Sequence, residues 1–212
     1  MCRKKCSMFR LDNILESWAV AYKPLSHDIS DEKGRRTFYR IDTINNNNEF
    51  VQNYNLADSP CMAYSTLIDA SLSRTNKKYI SYRHVIYFMV KQEPPASLAK
   101  TLANDSLEAT EAKFYADILV QDLLAFLYAL KSACGQTVHG TAKKEEEESI
   151  VYKILATLPE DDRRGVAGLQ LDGAEWGTFP ARYNHWWICG LEIEQLVPRN
   201  LCVVEERYNI DS

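Results

Sequence analysis

Long apolar runs, a surplus of either charge, and cysteine pairs with a histidine at ligand spacing are all scarce in this sequence, and each scarcity excludes something. No stretch reads as apolar over transmembrane length. The start, "MCRKKCSMFRLDNILESW", is basic like a signal peptide, but Arg10, Asp12, Asn13 and Glu16 interrupt any apolar core, so the expectation is a chain made in the cytoplasm. The formal net charge is −4. Broad, sequence-independent nucleic-acid binding needs a concentrated Lys/Arg surface and is disfavoured. Cys2 and Cys6 form a CxxxC with no second pair, a weak zinc signal. Cys61, Cys134, Cys189 and Cys202 stand alone in mostly apolar surroundings and read as reduced, buried thiols. The glycines of "GVAGLQLDG" do not make a phosphate loop, because no strand precedes them and the Lys and Ser/Thr are missing. There is no GxSxG, HExxH or Walker pattern. The expectation is no catalytic residue, no cofactor and no metal.

What is present is an ordinary globular composition rich in tyrosine, with 12 among 212 residues. A chain of this length buries roughly 70% of its unfolded surface and is stable without disulfides. Phe9, Ile14, Leu15, Trp18 and Tyr22 recur at helical spacing over residues 9–22, and Pro24 stops the helix. "RTFYRIDTI" reads as a strand, and "NNNN" at 45–48 as a turn or loop. "SPCMAYSTLIDASLSR" and "YISYRHVIYFMVKQ" read as two long paired strands separated by "TNKK" and closed by "EPP". In the second, Ile80, Tyr82, His84, Ile86, Phe88 and Val90 share one face. Residues 106–131 read as the longest helix, with Tyr115, Ile118, Leu119, Asp122, Leu123, Phe126, Leu127 and Leu130 as its apolar stripe and Gly135 as its stop. "TAKKEEEES" at 141–149 is a solvated stretch, either the start of a helix running to Leu158 or the tip of a loop. "LPEDDRRGVAG" reads as a loop, and a last strand ends at Pro198. The order predicts one α+β domain over 1–212: a mostly antiparallel sheet with an N-terminal helix and one long helix on one face, a charged insertion or loop around 135–150 and a C-terminal extension at 203–212.

The densest stretch is "YNHWWICGLEIEQLVPRNLC", residues 183–202. His185 and Cys189 suggest a nucleophile pair or metal ligands, but on a regular strand they lie about 13 Å apart. Alternation sends His185, Trp187, Cys189, Leu191 and Ile193 to one face, a packing face. The other carries Trp186, Ile188, Gly190, Glu192 and Glu194, whose carboxylates read as a solvated or partner-facing strand end. His84 reads as a satisfied core histidine; His27 and His139 lie in polar loops.

The succession of an N-terminal helix, "SPCMAY", "KKYISYRHVIYFMVKQ", "AKFYADILVQDLLAFLYALKS" and "NHWWICGLEIEQLVP" resembles the small α+β proteins at the head–tail junction of tailed bacteriophages: tail terminators and neck or connector ring proteins. The late "YN…WW…GLEIEQLVPRNLC" is similar to variants from Bacteroides phages of the crAss-like group. The resemblance covers residues 9–205 as an order of elements. It implies a non-enzymatic virion protein of the tail or neck, forming a homo-oligomeric ring around the DNA channel, twelvefold rather than sixfold. Its partners would be neighbouring portal, neck or tail proteins, with DNA passing unbound and no membrane involved. Tyr79, Tyr82, Tyr87, Trp186, Glu192 and Glu194 are the candidate interface residues, since aromatics with a polar tip suit such contacts, and the 141–149 segment would reach a neighbouring ring. Two alternatives remain: an adaptor module, or a small hydrolase-type enzyme using Asp117, Asp122, His84 or the Glu192/Glu194 pair in one cleft.

Overall fold

The structure, a computed structural model, describes residues 11–29, 35–41, 58–72, 79–92, 108–136, 149–181 and 185–198. Along the chain these form α1 (Leu11–Ala21), β1 (Phe38–Ile41), β2 (Cys61–Leu72), β3 (Tyr79–Lys91), α2 (Ala109–Gln136), α3 (Ile150–Thr157), α4 (Glu160–Ala167), β4 (Leu169–Pro180) and β5 (Trp186–Pro198). The strands make one sheet ordered β1-β2-β3-β5-β4. Only β1 and β2 run parallel; the other three pairings are antiparallel. The class is α+β, as the alternating strands and long helix predict.

Period-two alternation on β3 and β5 decides which side of the sheet is covered. Direct pairing sets Ile86 opposite Leu191, Phe88 opposite Cys189 and His84 opposite Ile193. All six side chains are buried on the side that receives the helices. α2 fills that side with Leu119, Leu123, Leu127 and Leu130, and Ala112 and Ala116 let its first turns approach closely. Its buried stripe is rotated from the expected one: Ile118 is 49% exposed and Asp122 lies outside, because Val120 and Leu124 take the inner positions. By length and composition Thr110–Gly135 could cross a membrane, contrary to the reading of the sequence, yet here it is the central core helix. α1 lays Leu11, Ile14, Leu15 and Trp18 into the same core, with Trp18 edge-on to Phe88 at 6.0 Å between ring centroids.

Other expectations need correction. Helix α2 runs past Gly135 to Gln136, so that glycine sits in the last turn rather than after it. "LPEDDRRGVAG" is not a loop: it holds α4, whose Asp162 and Val166 are buried. β4 was not expected at all. α3 starts at Ile150, capped by Ser149, whose Oγ accepts the Tyr152 N–H at 3.4 Å. Residues 141–148, Cys2, Cys6, Cys202, His139, "NNNN", "EPP" and the extension 203–212 lie outside the described residues. Cys61, Cys134 and Cys189 form no disulfide and are buried, as read; burial raises each thiol pKa above its ordinary value.

Gly168 joins α4 to β4 where no side chain fits. A Cβ there would stand 2.3 Å from the Leu196 carbonyl oxygen, while the Leu196 N–H donates to the Gly168 carbonyl at 2.9 Å. Gly168→Ala is expected to lower stability by about 1–3 kcal/mol, the scale of overpacking a fixed backbone contact, measured as a lower urea midpoint with an unchanged m-value.

His84 is a satisfied core histidine. Its Nδ1 lies 2.8 Å from the Tyr64 hydroxyl and its Nε2 3.0 Å from Gln195 Oε1, and Gln195 Nε2 donates onward to the Gly165 carbonyl of α4 at 3.0 Å. Burial lowers the His84 pKa below the usual histidine value, against a smaller opposing effect of the Gln195 hydrogen bond. His27, whose Nδ1 accepts the Thr37 N–H at 3.2 Å, is lowered for the same first reason. With both folded-state values depressed, the unfolded chain binds more protons below about pH 6.5. Stability is therefore expected to be full above that pH and to fall as the pH drops toward the folded-state values. Urea midpoints measured from pH 7.5 to 5 should show this slope, and His84→Gln should make it shallower.

Candidate interaction surface

The sheet face turned away from the helices is divided along its length. Tyr79, Ser81, Arg83, Val85, Tyr87, Met89 and Lys91 alternate onto it from β3, and their partners on β5 include Leu196, Glu194, Glu192, Gly190, Ile188 and Trp186. At one end Trp186, Met89, Cys61, Ala63 and Ile41 form a small second core, with Tyr39, Tyr87, Ala181 and Ile188 packed against it. Lys91 holds its ammonium 5.0 Å from the Trp186 ring centroid. The Tyr87 ring lies over Gly190 of β5, where a Cβ would meet it at van der Waals distance, 3.4 Å.

The other end is charged and open. β4 departs from β5 between Gln170 and Glu175, and the pairing resumes with Glu175 opposite Glu192. Ser81, Arg83, Gly173, Glu175, Glu192, Ile193 and Glu194 line the resulting hollow of about 310 Å³. The Ser81 hydroxyl donates to the Glu194 carboxylate, and Arg83 reaches Glu192 at 3.5 Å. Three carboxylates thus face one guanidinium.

Beyond this hollow β4 is the outer strand of the sheet. Trp176 is 45% exposed and Phe179 46%, on opposite faces of the strand. The Trp176 Nε1–H donates to Asp117 Oδ1 at 2.9 Å, which ties the edge to α2. Phe114, 62% exposed, and Ile118 flank Asp117 on that helix. Tyr128 adds a second tie, its hydroxyl donating to Asp172 Oδ1 at 2.8 Å. The apolar surface of α2 and the edge of β4, the outer strand among the described residues, are therefore one continuous region.

The residues singled out in the sequence are distributed unevenly over this surface. Glu192 and Glu194 are exposed, as alternation predicted. Tyr79 and Tyr87 are half-buried on the same side of the sheet; Tyr82, opposite Gln195, alternates to the helix side. Trp186 is only 2% exposed, so in this chain it builds the small core rather than offering contact area. Of the groups of the enzymatic alternative, Glu192 and Glu194 line the hollow, while His84 is sealed under α4, Asp117 bonds Trp176 and Asp122 accepts from the Tyr22 hydroxyl. His185 is a turn residue with φ of 53°, and its carbonyl accepts the Gln92 N–H at 2.8 Å. Sequence reasoning missed Glu175, Trp176, Phe179 and Phe114; "EWGTF", with aromatics three apart beside an acid, is the signal that was there. No protein-family model, no curated protein and no solved structure matches the chain.

Glu175 directly opposite Glu192 is a like-charge cross-strand pair, an arrangement that costs stability. Glu175→Gln is expected to raise the urea midpoint, more at 20 mM salt than at 500 mM, because screening already removes the repulsion at high salt. An equal change at both salts would mean that the effect is not electrostatic.

Proposed function

We propose that this chain is a non-catalytic structural protein that assembles into a ring at the head–tail junction of a tailed phage, as a neck, connector or tail-terminator component. The observation that carries the reading is the continuous exposed surface formed by Phe114, Ile118, Trp176 and the β4 edge. A monomer rarely leaves this much aromatic surface beside an unpaired strand without a use for it. The order of elements supports the same reading by its resemblance to that group. So does the mild acidity of the chain, since DNA slides past an acidic wall rather than adhering to it. Tyr79, Tyr87, Glu192 and Glu194 extend the contact surface onto the sheet. The ring is twelvefold in this reading, and its neighbours are portal-side and tail-side proteins.

Cryo electron microscopy of the purified chain, with mass photometry on the same sample, tests it. Rings with a central channel are the expected result, and the symmetry is read directly. A strict monomer at every concentration, which also fails to form rings on purified portal or tail ends, would sink the reading. Removal of residues 141–148, keeping Ser149 because it caps α3, is expected to weaken docking to the next ring while leaving the thermal midpoint within about 2 °C. Undiminished docking would count against that role for the charged segment.

A further inference from the structure

The surface formed by Phe114, Ile118 and Trp176 calls for a complementary one, and the opposite flank of the molecule carries it. α1 packs over β1 and β2, whereas α2 packs over β3, β5 and β4. The corner beside β1 and the outer side of α2 beside β4 therefore stand at opposite edges of the sheet, about four strand spacings or 19 Å apart. After α1 the chain folds back on itself. The His27 N–H donates to the Ala19 carbonyl at 3.1 Å, and the Asp28 N–H to the Arg35 carbonyl at 3.0 Å. These bonds gather Val20, Lys23, Ile29, Arg35 and Arg36, all exposed, into one corner. Ile29, 67% exposed, is the most exposed large apolar side chain among the described residues.

The two surfaces share an apolar centre and differ in the charge around it. Beside Phe114, Ile118 and Trp176 stand Glu111, Asp117, Asp172 and Glu175, while the neighbouring Lys113 lies 5.8 Å from the Trp187 ring centroid. Beside Val20 and Ile29 stand Lys23, Arg35 and Arg36, set against Asp28 and Asp58. The Asp58 carboxylate already accepts the Arg36 N–H at 3.0 Å, and the Arg35 guanidinium donates to the Ser59 carbonyl at 2.8 Å without losing its charge. Two copies joined through their acidic patches would set acid against acid, and through their basic corners cation against cation. One of each gives an apolar centre inside a rim of opposite charges, the build of a specific protein contact.

We infer that the basic corner of one copy, centred on Ile29 and Arg36, docks on the Phe114–Ile118–Trp176 patch of the next. The contact is heterologous, so it repeats from copy to copy around an axis. It rests on the ring reading and names the second half of that ring's interface.

Mixing two damaged copies of the full chain tests it. Phe114→Asp spoils the acidic patch and leaves the corner intact; Ile29→Asp does the converse. Both side chains are exposed, so each variant is expected to keep the parent's urea midpoint. Where an aspartate lowers that midpoint, Phe114→Ala and Ile29→Ala take its place. By sedimentation velocity each variant alone is expected to self-associate more weakly by roughly tenfold or more, the loss of one central contact residue. An equimolar mixture is expected to form a one-to-one pair and nothing larger, because one intact contact joins the two copies and both outward surfaces are spoiled. A mixture that stays as separate components, or either variant associating like the parent, would overturn the contact. Rings that persist in both variants would reject it and leave the ring reading standing. A parent that forms open chains without rings, with variants that complement in the mixture, would keep the contact and reject the ring. A parent that stays monomeric at every concentration rejects the contact, and the ring reading then stands or falls on assembly at portal or tail ends.

Discussion

The pairing of β3 with β5 is the constraint on which the rest of the molecule depends. It runs unbroken from Tyr79 opposite Pro198 to Lys91 opposite Trp186. Because side chains alternate, this single register decides the two faces of the sheet together. It sends Ile86, Phe88, Val90, Cys189, Leu191 and Ile193 toward the helices, and Arg83, Glu192, Glu194, Tyr87 and Trp186 away from them. A slip by one residue would bury Glu192 and Glu194 and expose Leu191 and Ile193, at several kilocalories per mole for each buried, unpaired carboxylate. The position of α2 follows from this register, since its leucines need the apolar face, and so does the position of the His84 network, which fastens α4 to the sheet through Gln195.

Strands and helices with strong periodicity were legible in the sequence for this same reason. β3, β5, α1 and α2 each bury most of one face, and the pattern of apolar residues records it. β4 and α4 bury much less. Along β4 only Leu169 and Leu171 are buried, so "LQLDGAEWGTFP" has no alternation to display. α4 is eight residues long with all of its first five charged, and it is held by contacts its own pattern does not reveal: the Gly165 carbonyl accepting from Gln195, and Gly168 pressed against the Leu196 backbone. Tertiary contact fixes these elements, and their local composition reads as loop.

The surface was legible to a different degree. Alternation placed Glu192 and Glu194 outward correctly because it needs only the strand direction. It also placed Trp186 outward, which is true of the sheet face but not of solvent, since Met89, Cys61 and Ile41 enclose that tryptophan in a second small core. A sheet covered by helices on one side still buries part of its other side, and a period-two pattern cannot say which part. Trp176 and Phe179 were missed because they belong to β4, the strand without a pattern, and Phe114 because it lies off the buried stripe of α2. Surface that is free to carry function is surface that packing does not dictate, so periodicity is least informative there.

The two edges of the sheet are chemically unequal, and this bears on what the fold can build. At one edge β1 is four residues long and parallel, with Arg35 and Arg36 beside it. At the other, β4 presents Asp172, Glu175 and two exposed aromatics, and its outer side pairs with no strand among the described residues. Like edges would favour a closed pair with a twofold axis; unlike edges of opposite charge favour contacts that run in one direction and repeat. Glu175, Glu192 and Glu194 line one hollow and only Arg83 among its lining residues is a cation, pairing with Glu192 at 3.5 Å. Like charges held close together in one hollow cost the fold some stability, and only packing elsewhere offsets that cost.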